Sequence, residues 1–137
     1  MKEIQHKKVL VVDDAIFIRN FIKAALKMMD ITDIKEASDG KEALASMQNR
    51  TFNLIISDWH MPNMNGFELL RAVRSDERLK NIPFLMLTSD VSKENVHSAI
   101  SAGVNDYMAK PFRHDPLILK VSRLLDIEPV TRLKVVR

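Results

Sequence analysis

Five polar residues of this chain stand where apolar runs end, and their types suit one kind of chemistry. Asp13 and Asp14 close the run Lys8-Val9-Leu10-Val11-Val12, and Asp58 closes Leu54-Ile55-Ile56-Ser57. Thr88 closes Pro83-Phe84-Leu85-Met86-Leu87, and Lys110 closes Asp106-Tyr107-Met108-Ala109. Three carboxylates brought to one place repel one another and cannot all ionise cheaply. A hard divalent cation with oxygen ligands resolves the conflict. Mg²⁺ suits it best, since it takes one or two carboxylates and keeps waters and phosphate oxygens around it. Lys110 adds an ammonium and Thr88 a hydroxyl donor. A cation, an ammonium and a hydroxyl around one carboxylate meet the needs of phosphoryl transfer, which is mostly positioning and charge neutralisation. Asp58 is then the nucleophile, forming an aspartyl phosphate.

Taken singly, each of these residues reads as an ordinary solvated loop residue; only shared placement gives them meaning. Continuous branched apolar runs closed by turn residues read as strands buried on both faces, as in a parallel sheet. Between the runs, apolar residues recur at helical spacing. Ile18, Ile22, Ala25 and Met29, with Phe21 and Leu26, form the first such stripe. Ala43, Leu44 and Met47 form the second, Gly66 to Val73 the third, and Val96, Ala99 and Ile100 the fourth, stopped by Gly103. Leu117, Val121, Leu124 and Leu125 form the last, and Asp33 to Ala37 is a weak additional strand. Strand and helix thus alternate five times. That alternation implies an α/β fold, a doubly wound five-stranded parallel sheet with five helices joined by right-handed crossovers. Ligands of such sheets bind at the carboxyl ends of the strands.

The totals exclude several classes. At 137 residues, 46% apolar and 28% charged, the chain is one globular domain. No stretch approaches the about 20 apolar residues of a membrane helix, and Met1 to His6 carries no signal-peptide core, so a cytoplasmic protein is expected. The absence of cysteine fits a reducing compartment. The net charge of +3 is concentrated in the last residues, where Arg132, Lys134 and Arg137 outweigh Glu128 by two. No clustered basic face remains for a nucleic acid. Residues 1–128 read as the folded domain, and 129–137 as a C-terminal tail of unassigned role.

The motifs Val-Val-Asp-Asp, Ile-Ser-Asp-Trp-His-Met-Pro-Asn-Met-Asn-Gly, Leu-Thr-Ser and Tyr-Met-Ala-Lys-Pro-Phe resemble those of response-regulator receiver domains, specifically the chemotaxis regulators, over Lys8 to Leu125. The resemblance implies a flavodoxin-like sheet of order 2-1-3-4-5. It implies that a histidine kinase or phosphotransfer domain donates a phosphoryl group to Asp58. Mg²⁺ would be held by Asp14, Asp58 and the His60 backbone carbonyl, with Asp13 helping through water. Thr88 and Lys110 would contact the phosphoryl group, and Thr88 moving toward it would let Tyr107 swing inward. The bond before Pro111 would be cis. The output face would include Val96, Ile100, Tyr107, Lys120 and Arg123, read by a target such as a flagellar motor switch protein. A phosphatase is a further partner the resemblance allows. Such a chain is a signalling switch rather than an enzyme with a substrate of its own.

Several second-tier readings follow. His60 and Asp90 flank the pocket at positions that tune dephosphorylation in the family. Ile16 and Phe17 fall outside the helical stripe and either dock the phosphodonor or, for Phe17, pack on the sheet edge. His6, His97 and His114 are expected to be solvated, and most of the eight methionines to fill core. Alternatives stay open. A receiver of a non-motility phosphorelay, or one cut from a larger regulator, carries the same motifs. A haloacid-dehalogenase-like phosphatase also uses an aspartyl nucleophile and Mg²⁺, but it wants a second Asp where His60 stands. A flavodoxin-like cofactor protein wants a phosphate-cradling loop where Asp13-Asp14 would repel an anion.

Overall fold

The computed structural model describes residues 6–127. The readings made for the tail, 129–137, and for the boundary at residue 128 lie outside these residues. Five strands alternate with five helices: β1 (Lys8–Val12), α1 (Ile16–Met28), β2 (Asp33–Ala37), α2 (Gly40–Ser46), β3 (Leu54–Asp58), α3 (Gly66–Ser75), β4 (Phe84–Thr88), α4 (Lys93–Ser101), β5 (Asp106–Ala109) and α5 (His114–Leu124). The strands form one sheet of order β2-β1-β3-β4-β5, every pairing parallel. Among the described residues, no helix is long and apolar enough to cross a membrane.

The β-branched and apolar runs become strands because both of their faces are covered. Val9 and Val11 point to one side with Ile56, Leu85 and Leu87, against Ile22 and Leu26 of α1 and Leu117 and Val121 of α5. Leu10 and Val12 point to the other with Ile55 and Met86, against Met47 just past α2, Leu69, Leu70 and Val73 of α3, and Ala99 of α4. At ~25 cal/mol per Å² of apolar surface, these two layers are the main stabilising contribution. They also hold every strand end at one edge.

The expected elements correspond to those observed, with small displacements. Pro83 precedes β4, and its carbonyl accepts from Ile55 N of β3 at 2.9 Å. Met29 and Leu125 are cap residues just beyond α1 and α5, and α3 runs two residues past Val73. Phe21, assigned to the core stripe, is 36% exposed instead. Gly103 does end α4. It takes φ +97, and Val104 N reaches back to Ala99 O at 3.0 Å, closing the helix in a left-handed turn.

Candidate functional site

The register of the sheet assembles the site. Val12 pairs with Ser57, so the residues that follow, Asp13 and Asp58, leave neighbouring strands side by side. Asp58 pairs with Leu87, which places Thr88 one residue further along, and Thr88 pairs with Ala109, which places Lys110 next. Lys110 N donates to Thr88 O at 2.8 Å. The carboxylates of Asp13, Asp14 and Asp58 each bring an oxygen within 4.8 Å of the others. The Lys110 ammonium lies 3.2 Å from Asp13 Oδ2 and 3.1 Å from Asp58 Oδ1.

Burial sharpens the electrostatics. Asp13 and Asp58 are buried and Asp14 is exposed. Burial pushes the Asp58 carboxyl above its usual range, the neighbouring Asp13 charge pushes the same way, and Lys110 opposes both. Burial pulls the Lys110 ammonium down, but its bond to Asp58 and the charges of Asp13 and Asp58 outweigh this and raise it overall. One cation therefore serves a buried pair of anions, with a third anion at the rim. Hard oxygen donors in negative excess, open to solvent on the Asp14 side, are the donor set a divalent cation requires.

The backbone around Asp58 is held as closely as its side chain. Ser57 Oγ, wholly buried, donates to Asp58 O at 2.9 Å. A Cβ on Gly66 would drive into that same carbonyl, so the return of the chain into α3 needs glycine. Asn65 and Glu68 then form a reciprocal cap on α3. On the first strand's turn, Asp13 Oδ1 accepts from Ala15 N at 2.9 Å.

The remaining residues lie at the rim and beyond it. Thr88 is buried, and its hydroxyl accepts from Asp90 N at 2.9 Å and donates to Asp90 O at 3.2 Å. His60 and Asp90, two residues past Asp58 and Thr88, are both exposed, and the Asp90 carboxylate accepts from Ser92 N at 3.0 Å. Tyr107 is 36% exposed and lines a crevice together with Thr88, Val96 and Ala99. Ile100 and Arg123 are exposed, and Lys120 pairs with Asp106 at 3.0 Å. The Lys110–Pro111 bond is cis.

Residues 9–122 match the response regulator receiver domain. The chain belongs to that family. This receiver is 41% identical to the chemotaxis protein CheY of Pseudomonas aeruginosa over 119 residues, covering 87% of the chain and 96% of the relative. It superposes on the chemotaxis response regulator CheY4 of Vibrio cholerae with TM-score 0.80 at 39% identity, covering 86% and 98% of the two chains. The receiver domain of a Pseudomonas aeruginosa sensor histidine kinase, solved with a magnesium ion in its active-site cleft, is similar at TM-score 0.79 and 26% identity, with 88% and 98% covered.

Other features of the receiver escape a reading of the sequence. Phe17 is 70% exposed and does not pack on the sheet edge; Ile16 is 63% exposed beside it. Phe17, Ile18, Phe21, Pro111 and Phe112 line an apolar groove of ≈ 410 Å³ that reaches Lys110. His114, expected in solvent, is half-buried against this groove, its ring 4.1 Å from that of Phe21 and its Nε2 3.1 Å from Phe21 O. Arg19 was also missed: its Nη1 donates to Asp13 O at 2.6 Å while Nε meets Glu36 at 2.9 Å. A basic residue one turn into a helix that follows an acidic pair is the available signal, but a salt bridge to a distant strand leaves none.

Proposed function

We propose that this receiver takes a phosphoryl group from the phosphohistidine of a histidine kinase or phosphotransfer domain onto Asp58, in a Mg²⁺-dependent reaction. The switch then acts on a protein target. The observation that carries the reading is the placement of one half-buried ammonium, Lys110, 3.1 Å from Asp58 and 3.2 Å from Asp13, beside a cluster of three carboxylates. Asp14, Asp58 and the His60 carbonyl would hold the ion, with Asp13 helping through water; bound, it neutralises charge on the transferred group. An Asp58 oxygen attacks phosphorus, the P–O bond forms as the P–N bond breaks, and the histidine leaves with its electron pair. Lys110 and the Thr88 hydroxyl stabilise the charge on the equatorial oxygens. Thr88 leaves its bonds to Asp90 to do so, and Tyr107 turns into the crevice behind it. His60 and Asp90, exposed two residues past Asp58 and Thr88, govern the access of the hydrolytic water.

Similarity to chemotaxis regulators supports a flagellar motor switch protein as target and a cytoplasmic setting. A non-motility phosphorelay uses the same chemistry with another target. The exposed Ile16 and Phe17 and the groove beside them supply the dock for the phosphodonor, since they adjoin Lys110. Phe17→Ser should slow transfer from a cognate kinase while leaving acetyl phosphate a full donor.

Trp59 provides the test. It is the chain's single tryptophan, 9% exposed, next to Asp58 and stacked on Phe67 at 5.3 Å. Its emission should change with Mg²⁺ and again with beryllofluoride or acetyl phosphate, and the second change should vanish in Asp58→Asn. A wild-type protein that gains no mass with acetyl phosphate and Mg²⁺ would sink the reading.

A further inference from the structure

The loop from Trp59 to Asn65, which carries the His60 carbonyl, is fastened at both ends. At its far end Gly66 N donates to Trp59 O at 2.8 Å, closing it into a ring. Midway, Asn63 takes φ +66, a left-handed conformation that Asn tolerates and most residues do not. From there its Nδ2 donates to Asp39 Oδ2 at 2.7 Å, on the loop after β2. The next residue of each loop adds a second tie, Gly40 N to Met64 O at 2.9 Å. Asp39 is buried, and its other oxygen accepts from Glu42 N at 2.8 Å, capping α2. Capping needs only one of the two carboxylate oxygens. The second is spent on a loop 24 residues away in sequence.

A side-chain ligand is aimed by its own rotamer, but a backbone carbonyl is aimed only by the conformation of its loop. We propose that the Asn63–Asp39 clasp is a positioning element for metal binding. It holds the 59–65 loop so that the His60 carbonyl faces the cation, and its loss weakens Mg²⁺ binding although neither residue touches the ion. The inference rests on the reading of Asp58 as a Mg²⁺-dependent phosphoacceptor. By linkage, ion binding must strengthen the clasp by the same factor, so the start of α2, one strand away, senses whether the ion is present.

Two variants remove the clasp by different routes. Asn63→Gly deletes the amide and keeps a backbone at home at positive φ. Asp39→Ser keeps an N-cap and deletes the second oxygen. Mg²⁺ titrations of Trp59 emission, well below the melting temperature, should show about tenfold weaker binding in each, the size of effect typical of residues that orient metal ligands. The double variant should be no weaker than either single one. Amide exchange of Gly40 and Glu42 should slow on adding Mg²⁺ to wild type but not to Asn63→Gly, a response that a merely stabilising contact would not give. If both single variants bind Mg²⁺ as wild type does, the clasp has no positioning role and the phosphoacceptor reading stands. If wild type itself does not respond to Mg²⁺, that reading falls and the clasp's role falls with it.

Discussion

Two carboxylate clusters lie one strand apart, built from the same residue types in opposite proportion. Between β1, β3 and β5, Asp13 and Asp58 share the single ammonium of Lys110, with Asp14 at the rim. On β2, Glu36 stands alone between two cations, Arg19 Nε at 2.9 Å and Lys23 Nζ at 2.8 Å. The acids respond in opposite directions. Burial and the Asp13 charge hold Asp58 above the usual carboxylate range. The Lys23 hydrogen bond, with Arg19 adding to it against some burial, holds Glu36 below it. Arg19 also links the clusters, since the guanidinium that neutralises Glu36 donates to Asp13 O. The satisfied cluster thus braces the turn that bears the frustrated one. Negative excess is kept at the sheet edge, where the proposed function puts a cation and a phosphoryl group, and conflict of this kind is what functional sites retain at the expense of stability.

The largest break in this comparison comes from Lys110→Met. Removing the ammonium leaves two carboxylates whose side chains are 1% and 9% exposed facing each other. Truncating one partner of a buried ion pair costs about 3–5 kcal/mol. Urea unfolding at neutral pH should show a loss of that size, and Mg²⁺ should return part of it by supplying the missing positive charge. Asp58→Asn is the counter-experiment, since it takes out the frustrated charge and keeps the volume. It should abolish phosphorylation and raise stability by about 1–2 kcal/mol, the range typical of relieved functional strain. In that background Lys110→Met should cost much less, because only Asp13 is left to be neutralised.

Glu36 gives the opposite sign and a smaller size. Its side chain is 33% exposed, so solvent screens its pairs. Glu36→Gln should lose about 0.5–1 kcal/mol, and the loss should shrink in high salt.

The difference between the clusters also explains what was legible in the sequence. The site at the sheet edge is written in short runs, each a branched apolar strand ending in the residue that matters, so Asp13, Asp14, Asp58, Thr88 and Lys110 could be placed together by topology alone. Motif resemblance then supplied the strand order and the His60 carbonyl. The supporting contacts have no such signature. Arg19 reads in the sequence like any surface arginine, yet its side chain is only 15% exposed, and its two partners lie on another strand and on a backbone carbonyl. Asp39, followed by Gly40, reads only as a turn, nothing singles out Asn63, and their bond appears only when two loops are laid side by side. Phe21 and His114 were misplaced for a related reason. Helical spacing says which face a residue shares, but the edge of that face, where a ring sits half out over a neighbouring helix, depends on the crossing of α1 and α5.

The finest separation of the clusters is by pH. Asp58 has a folded pKa above its ordinary 3.8, so its ionisation disfavours the fold. That penalty is absent below 3.8, where the group is protonated in both states, and grows as pH rises to and through the raised folded value. Glu36 has a folded pKa below its ordinary 4.5, so its contribution is complete above 4.5 and fades as pH falls through the lowered folded value. Unfolding free energies measured from neutral to acidic pH should therefore show two gaps closing from opposite sides. Asp58→Asn, more stable than wild type at neutral pH, should lose its advantage between the raised folded value and 3.8, as Asp58 takes up its proton. Glu36→Gln, less stable at neutral pH, should regain parity as pH falls from 4.5 through the lowered folded value. Should either gap carry the opposite sign at neutral pH, the contrast between a frustrated and a satisfied cluster fails.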